Sequence, residues 1–573
     1  MSFQIKIKKL EADIVILGGG AAGLAACHYF SDHPSLRIIL LDKVPIARSG
    51  CLAAGVNAIN AWIDKDHTPQ DYVEYAFQDA HGIASRKLLL NMAKGLNQAV
   101  EFLERLGLTI QKGPDGHYLA RSWRNVKING ENIKPLLAQK PSNQAGLRII
   151  TQVHPLAYLF SDTAPQRLAG VVALNKVVPE LLVIHAPAVI CATGGVAGIY
   201  RPNHPGPNRH KIWYPPFNTG GGLALGILSG AEMTTLEMRF VALRCEGTQA
   251  PTGTLALGGG AQQINSLGEA FESRYGKSTS ERVYAARAES LLGRGPIRLE
   301  TGNSDPLFRE KMIRAYFHMA PLQSLKWLDE SYAEGHTLRT LNAEISGSEP
   351  FVQGGHTAGG YYVQEDRKTT LPGLWAAGDV AGGSPQKYVS GAIVEGWLAA
   401  ESVWNYLLRL EKIPQYEISF SAFQDLIFSY FSKGSDCDSL EEESQLCMDE
   451  LAGGQSAQYR YSESGLKEAS QKIQGLLHRT KELGCQTLRE FSRIWELKER
   501  LIVARSLIAH LLARKETRWR GFGEFVDYPE PDQRFNLFVN SRFKAKPFNF
   551  EEGDLEILYR DLETGDILPC PEK

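Results

Sequence analysis

Short apolar runs rich in β-branched residues punctuate the first part of the chain, and they are set off from stretches where apolar residues recur at helical spacing. ADIVIL (Ala12 to Leu17), LRIILL (Leu36 to Leu41) and the run from Val189 to Thr193 read as buried parallel strands. A strand covered on both faces has no polar side to display. Ala21 to Phe30 between the first two is helix-like, so the opening segment is a strand–turn–helix–strand unit. Residues from about Pro69 to Leu108 carry an amphipathic helical pattern; RIITQV follows, and then a β-meander through VVALNK and ELLVIHA. From about Ala231 to Gly347 the texture changes to glycine-rich loops followed by helical stretches, SERVYAARAESLLG and REKMIRAYFHMAPLQSLKWLDESY. A glycine-flanked strand returns at Gly373 to Asp379, which implies a domain interrupted by an insertion. Glu401 to Trp519 is charged and helix-rich, and the stretch from about Gly521, with prolines and aromatics, is expected to be an irregular wrap.

Composition narrows the function classes. The 573 residues are 43% hydrophobic and 22% charged, as in ordinary globular proteins, and are too many for one core. With Lys+Arg 62 and Asp+Glu 64, the formal net charge is -2, so no general field draws a nucleic acid polymer or an anionic membrane. A local basic pocket for a small anionic substrate stays open. The N-terminal MSFQIKIKKLEADIVILGGG ends in glycines, is too short to cross a bilayer and reads as a strand, and direct membrane insertion is not expected. The 8 cysteines form no CxxC pair and no zinc or iron–sulfur spacing, so no metal site is expected and a reducing, cytoplasmic setting is.

The glycines after the first strand carry chemistry. Gly18, Gly20 and Gly23, with Ala21 and Ala22, spell GxGxxG between a strand and a helix. The first glycine permits the tight turn, the second lets the backbone approach a pyrophosphate, and the third lets helix and strand pack. A helix N-terminus facing that pyrophosphate favours its charge. Asp42 ends the second strand, where an acid accepts hydrogen bonds from a ribose. This is a Rossmann-like dinucleotide site. VICATGG and GLWAAGD, Gly373 to Asp379, resemble the later nucleotide-domain segments of two-dinucleotide-binding-domain flavoproteins, which points to FAD rather than NAD.

With these segments the chain resembles the fumarate reductase, succinate dehydrogenase and aspartate oxidase flavoprotein family, and within it the adenylylsulfate reductase branch. The residues that carry the resemblance are RSGCLAAGVNAIN (Arg48 to Asn60), INGENIKP, FNTGGG, AEMTTLEMRFV, GRGPI, GGHTAGG and QKYVSGAIVEG, with a weaker likeness in TRWRGFGEFVDYPEPD. It implies an α/β fold: a Rossmann-like FAD-binding domain (1–230 and 351–405), an inserted α+β capping domain (231–350), a C-terminal helical domain (406–520) and a tail (521–573). Members with covalent flavin have a histidine where Gly50 stands, so noncovalent FAD is expected. Implied cofactor contacts are Gly18, Gly20, Ala21, Ala22, Gly23, Asp42, Lys43, Ser49, Gly50, Gly55, Val153, Ala192, Thr193, Gly194, Asp379, Ser390 and Ile393. Around the flavin's reactive face the resemblance puts Asn60, Glu131, Arg282 and His356, with Phe217 where the family has an aromatic. Arg287 on the same stretch is the alternative to Arg282. The types suit anion chemistry: arginine forks onto oxyanions, and histidine donates a proton or hydrogen bond near neutral pH. Asn60 also reads as a core amide, and Glu131 as a helix N-terminal acid beside Lys134.

Two departures matter. Where dicarboxylate-acting members hold their substrate with an arginine, this chain reads QKYVSG, with Tyr388 near that place and Lys387 beside it as a partial substitute. The family's TGDG turn is TGGG here, Thr219 to Gly222, so its acid is missing. The resemblance implies a catalytic subunit that interconverts adenylylsulfate with sulfite and AMP, paired with an iron–sulfur electron-transfer subunit. A soluble fumarate reductase-like enzyme and a flavin electron-transfer subunit without its own substrate are the alternatives.

Overall fold

The computed structural model describes residues 5–54, 56, 58–62, 66–129, 132–162, 164, 166–202, 214–245, 252–257, 261–276, 278–300, 343–411, 421–431, 437–544 and 553–571. Glu131, Gly55 and the expected helix REKMIRAYFHMAPLQSLKWLDESY lie outside these residues.

The apolar runs assemble as their composition requires. A parallel sheet has the strand order Leu374–Ala376, Ala188–Cys191, Ile14–Leu17, Ile38–Leu41 and Leu147–Ile150. Its three central strands are buried along their whole length. The helix Ala21–Phe30 leaves the first strand and packs beside the helix Tyr388–Leu408. Their contact is close because Gly396 has no side chain: a Cβ there would sit 2.2 Å from the Ala22 carbonyl oxygen.

The N-terminal run is two strands rather than one. Lys6–Glu11 pairs in parallel with Glu180–His185 in a separate four-stranded sheet, and Ile14–Leu17 enters the central sheet. The remaining strands of the first sheet, Val153–Phe160 and Leu168–Asn175, form the expected meander with Glu180–His185. The helical stretch after residue 69 is also divided. Pro69–Asp79 and Arg86–Arg105 are separated by a turn in which His81 and Gly82 both adopt positive φ.

The inserted region forms an antiparallel sheet of Leu243–Cys245, Ala343–Gly347, Arg298–Glu300 and Gln262–Ile264. Its helix Thr279–Glu289 starts at a capping box, Ser278 with Glu281, that satisfies the first backbone N–H groups. Among the described residues, the helices Ser421–Phe428, Asp438–Leu451, Glu463–Arg479 and Leu488–Ala513 occupy the helix-rich region. No helix among the described residues is long and apolar enough to cross a membrane.

The expected irregular wrap is corrected by the structure. Phe538–Lys544, Asp554–Arg560 and Ile567–Leu568 are strands, joined edge to edge with Met233–Thr234 and Gly360–Tyr361. Buried Glu232 holds this sheet together by accepting from Asn540 at 2.6 Å, Arg542 at 3.1 Å and the Arg560 guanidinium. Cationic and amide donors satisfy a carboxylate that burial alone would penalise, and its pKa is lowered despite that burial.

Candidate functional site

The carboxyl ends of the central strands open onto a cavity of about 630 Å³, the usual place for a ligand in an open α/β sheet. Gly18 forms its floor with φ +97°. A Cβ at Gly18 would lie 2.5 Å from the Ala192 carbonyl oxygen, and one at Gly23 would lie 1.9 Å from the Gly18 carbonyl oxygen. Gly18 therefore makes the tight turn and Gly23 the close approach of helix and strand. Asp42 accepts from the Gly19 N–H at 2.7 Å and from the Val44 N–H at 2.9 Å, which fixes its carboxylate at the cavity edge. The Gly19 carbonyl accepts from Ser49 Oγ at 3.0 Å and from the buried Lys134 ammonium. Burial lowers the Lys134 pKa to about 8. The glycine cradle, the anchored acid and a cavity of this size fit FAD.

Of the cofactor contacts read from the sequence, Gly18, Gly20, Ala21, Ala22, Asp42, Lys43, Ser49, Gly50, Ala192, Thr193, Gly194 and Asp379 line the cavity. Gly23, Val153, Ser390 and Ile393 do not line it. Val153 and Ile393 are fully buried in the apolar core, and Ser390 Oγ donates to the Asn60 carbonyl at 2.6 Å. Their neighbours Val389 and Ala392 face the cavity instead. Lys43 lines the wall, but its ammonium is taken by Glu496 at 3.3 Å, Glu499 at 3.2 Å and Thr219 Oγ at 2.8 Å. Burial raises the Asp379 pKa to about 6, against the pull of Lys387.

Asn60, Phe217, Arg282 and His356 also line the cavity. Asn60 Nδ2 donates to the Tyr72 hydroxyl at 2.6 Å, and that hydroxyl donates to the Gln386 carbonyl at 2.7 Å. The amide is thus both a tie and a cavity group. The His356 ring lies 3.7 Å from Phe240 and 4.7 Å, edge-on, from Tyr388. Its Nδ1 is buried with no hydrogen-bond partner among the described residues. Burial, helped by the Arg124 charge, lowers the His356 pKa to about 3, so the imidazole is neutral at pH 7.

Arg282 reaches the cavity and pairs with Glu272 at 3.7 Å. Arg287 does not: its guanidinium is bound to Glu524 and, at 2.8 Å, to the Gln458 carbonyl, which removes it from the reactive face. Lys387 is likewise no substitute for the missing substrate arginine. It is 1% exposed, donates to the Gly378 carbonyl at 2.9 Å and to the Ala381 carbonyl, and pairs with Glu395 at 3.7 Å.

Sequence reading missed three charged groups on the wall. Arg124 stacks on the Tyr75 ring at 3.8 Å, Arg244 pairs with Glu349 at 2.6 Å, and Glu499 arrives from the helix Leu488–Ala513. None sits in a motif. Arg244 follows AEMTTLEMRFV closely enough that the segment's resemblance could have flagged it.

Burial has a consequence for acid stability. His154 is also buried, between Ser492 Oγ at 2.6 Å and Glu499 at 2.6 Å, and its pKa is lowered. Both histidines titrate near 6.5 when unfolded, so below that pH the unfolded chain binds protons that the folded chain refuses. The stability these two neutral imidazoles contribute is present above about 6.5 and is lost on acidification below it. The urea midpoint should therefore drop between about pH 7 and pH 5. A midpoint that stays level or rises would show that other groups govern this range.

Comparison with known proteins places this geometry. The family model described as FAD binding domain matches residues 13–392. The alpha subunit of adenylylsulfate reductase from Megalodesulfovibrio gigas is 28% identical, over 93% of this chain and 93% of the relative. The structure of adenylylsulfate reductase from Archaeoglobus fulgidus superimposes with a TM-score of 0.87 at 28% identity, covering 97% of this chain and 96% of the other. The E. coli quinol fumarate reductase FrdA shares the fold, with a TM-score of 0.76 at 18% identity over 98% of each chain.

Proposed function

We propose, from the premise that this chain belongs to the FAD-binding domain family of flavin-dependent oxidoreductases, that it is a catalytic subunit of the adenylylsulfate reductase type. The reading interconverts adenylylsulfate with sulfite and AMP. Its main support is the convergence of Arg124, Arg244 and Arg282 from separate parts of the chain on one cavity wall with His356. Guanidinium groups bind sulfate and phosphate oxygens in a fork. The aromatic rings of Phe240, Tyr388 and Tyr214 give the same wall flat apolar surface, which suits a base or sugar beside the anion. FAD, when bound, supplies the two-electron chemistry. The protein supplies charge to hold the anion, a neutral imidazole to donate or accept one hydrogen bond, and a largely buried site that limits water.

The reading includes an iron–sulfur partner subunit, since the alpha subunit of a reductase needs an electron source and this chain shows no second glycine fingerprint for a nicotinamide donor. A second reading, fumarate reductase-like chemistry, draws on His356 in its GGHTAGG segment. Tyr388 and the engaged Lys387 weigh against it, because neither replaces the arginine that stands at that place in dicarboxylate-acting members.

The test is flavin bleaching in the purified protein. Sulfite is expected to bleach the flavin in an AMP-dependent manner. Bleaching by succinate alone would replace this reading with the dicarboxylate one, and bleaching by sulfite regardless of AMP would remove the nucleotide from it.

We further propose that the flavin is noncovalent. Gly50 lies on the cavity wall with φ +75° and offers no side chain for attachment. Acid precipitation should release yellow FAD into the supernatant, and flavin that stays with the pellet would disprove it.

A further inference from the structure

The TGGG turn leaves a gap that the fold fills from elsewhere. Gly221 begins the helix Gly221–Leu228, and its backbone is outside the left-handed region, so a side chain is conformationally admissible there. The space is nevertheless occupied. A Cβ at Gly221 would meet Glu499 Oε1 at 2.7 Å and Cδ at 3.0 Å. Glu499 stands 280 residues from Thr219, whose hydroxyl donates to it.

We infer that Glu499 is a cofactor-site carboxylate, taking the place of the acid absent at Gly221 and closing the end of the cavity that receives the AMP half of FAD.

The location follows from the chain. Asp42 is the acid that addresses the adenosine ribose in this fold. Lys43 is the next residue and carries its ammonium to Glu499 at 3.2 Å. His356, Tyr388 and Asn60 define the opposite, isoalloxazine end of the cavity. Glu499 is nearly fully buried and lines the cavity.

The hydrogen-bond arrangement leaves room for a ligand. A carboxylate has about four lone-pair sites. In Glu499, Oε1 accepts from His154 Nε2 at 2.6 Å, and Oε2 accepts from Lys43 and Thr219. Glu499 can only accept, so His154 carries its proton on Nε2, and Nδ1 accepts from Ser492 Oγ. One acceptor site remains for a hydroxyl or amino donor in the cavity. Glu496 shares Lys43 from the same helix, so the lysine is a local counter-charge to the two glutamates rather than a phosphate ligand.

The experiment titrates flavin-depleted full-length protein with FAD and, separately, with FMN, which lacks the AMP half. Glu499→Gln and Glu499→Ala should weaken FAD binding by about 10- to 100-fold, as expected for loss of a hydrogen bond to a charged group. FMN affinity should stay at the wild-type value. Gly221→Asp combined with Glu499→Ala returns a carboxylate to the vacated space and should recover most of the FAD affinity. Should Glu499→Ala not fold, the isosteric Glu499→Gln decides by its FAD-to-FMN ratio. Parallel loss of FAD and FMN affinity would reduce Glu499 to a packing group and overturn the inference. Wild-type FAD affinity in Glu499→Gln would overturn it as well, as would a double variant no better than Glu499→Ala.

Discussion

His356→Ala protein should keep its FAD and lose turnover by about 10²- to 10⁴-fold, the usual contribution of a positioned proton-transfer or hydrogen-bonding side chain. The expectation rests on three features taken together. The ring lines the cavity, it is clamped between Phe240 and Tyr388, and its Nδ1 has no hydrogen-bond partner among the described residues. A buried nitrogen left without a partner costs stability, and such positions persist where a ligand completes them. Since burial holds the imidazole neutral at pH 7, its protonation should leave no inflection in the rate between about pH 5 and 8. Steady-state rates with the flavin-to-protein ratio measured alongside check both statements. Turnover at the wild-type level would make His356 a structural residue.

Gly18→Ala is expected to yield protein without bound FAD. Two costs coincide at this position. A φ of +97° is poorly tolerated by a residue with a Cβ, and that Cβ would press on the Ala192 carbonyl oxygen, a backbone atom that cannot swing aside. Relief requires the strand Ile14–Leu17 to part from Ala188–Cys191, which opens the floor on which the pyrophosphate would rest. Gly116→Ala separates the two effects, because Gly116 also has positive φ (+78°) and nothing within 4 Å of its Cβ position. That variant should lose only about 1 kcal/mol and keep its flavin. Equal flavin content in both variants, read from the absorbance ratio of purified protein, would show that the Gly18 turn does not support the cofactor.

The parts of the fold legible from sequence are those whose signal is local. Ile14–Leu17, the glycine turn, the helix Ala21–Phe30 and Asp42 lie within a span short enough for spacing alone to relate them. The choice between Arg282 and Arg287 was not legible. Five residues rotate a helix by about 140°, so one arginine reaches the cavity while the other is drawn to Glu524, and nothing near either residue announces that partner. Arg124 and Glu499 were invisible for the same reason, since each is an ordinary charged residue until folding brings it to the wall, and only Arg244 had a nearby segment that could have marked it. Ser390 and Ile393 failed by one residue, about 100° around the helix: the helix Tyr388–Leu408 is present as read, yet Val389 and Ala392 face the cavity. The strands after residue 538 were missed because two of their partners, Met233–Thr234 and Gly360–Tyr361, are only two residues long and leave no periodicity.

That late sheet bears on how the chain matures during synthesis. Glu232 and Arg560 are 328 residues apart, so a ribosome exposes the acid long before its cationic partner exists. Until Phe538–Lys544 emerges, Met233–Thr234 has a bare edge and Glu232 has neither Arg542 nor Arg560 to neutralise it. Pairing over such separations is slow, so a chaperone that shields unpaired edges has a long interval in which to act. Messages truncated before codon 538 should yield polypeptides that cellular proteases recognise and clear, however intact their glycine turn.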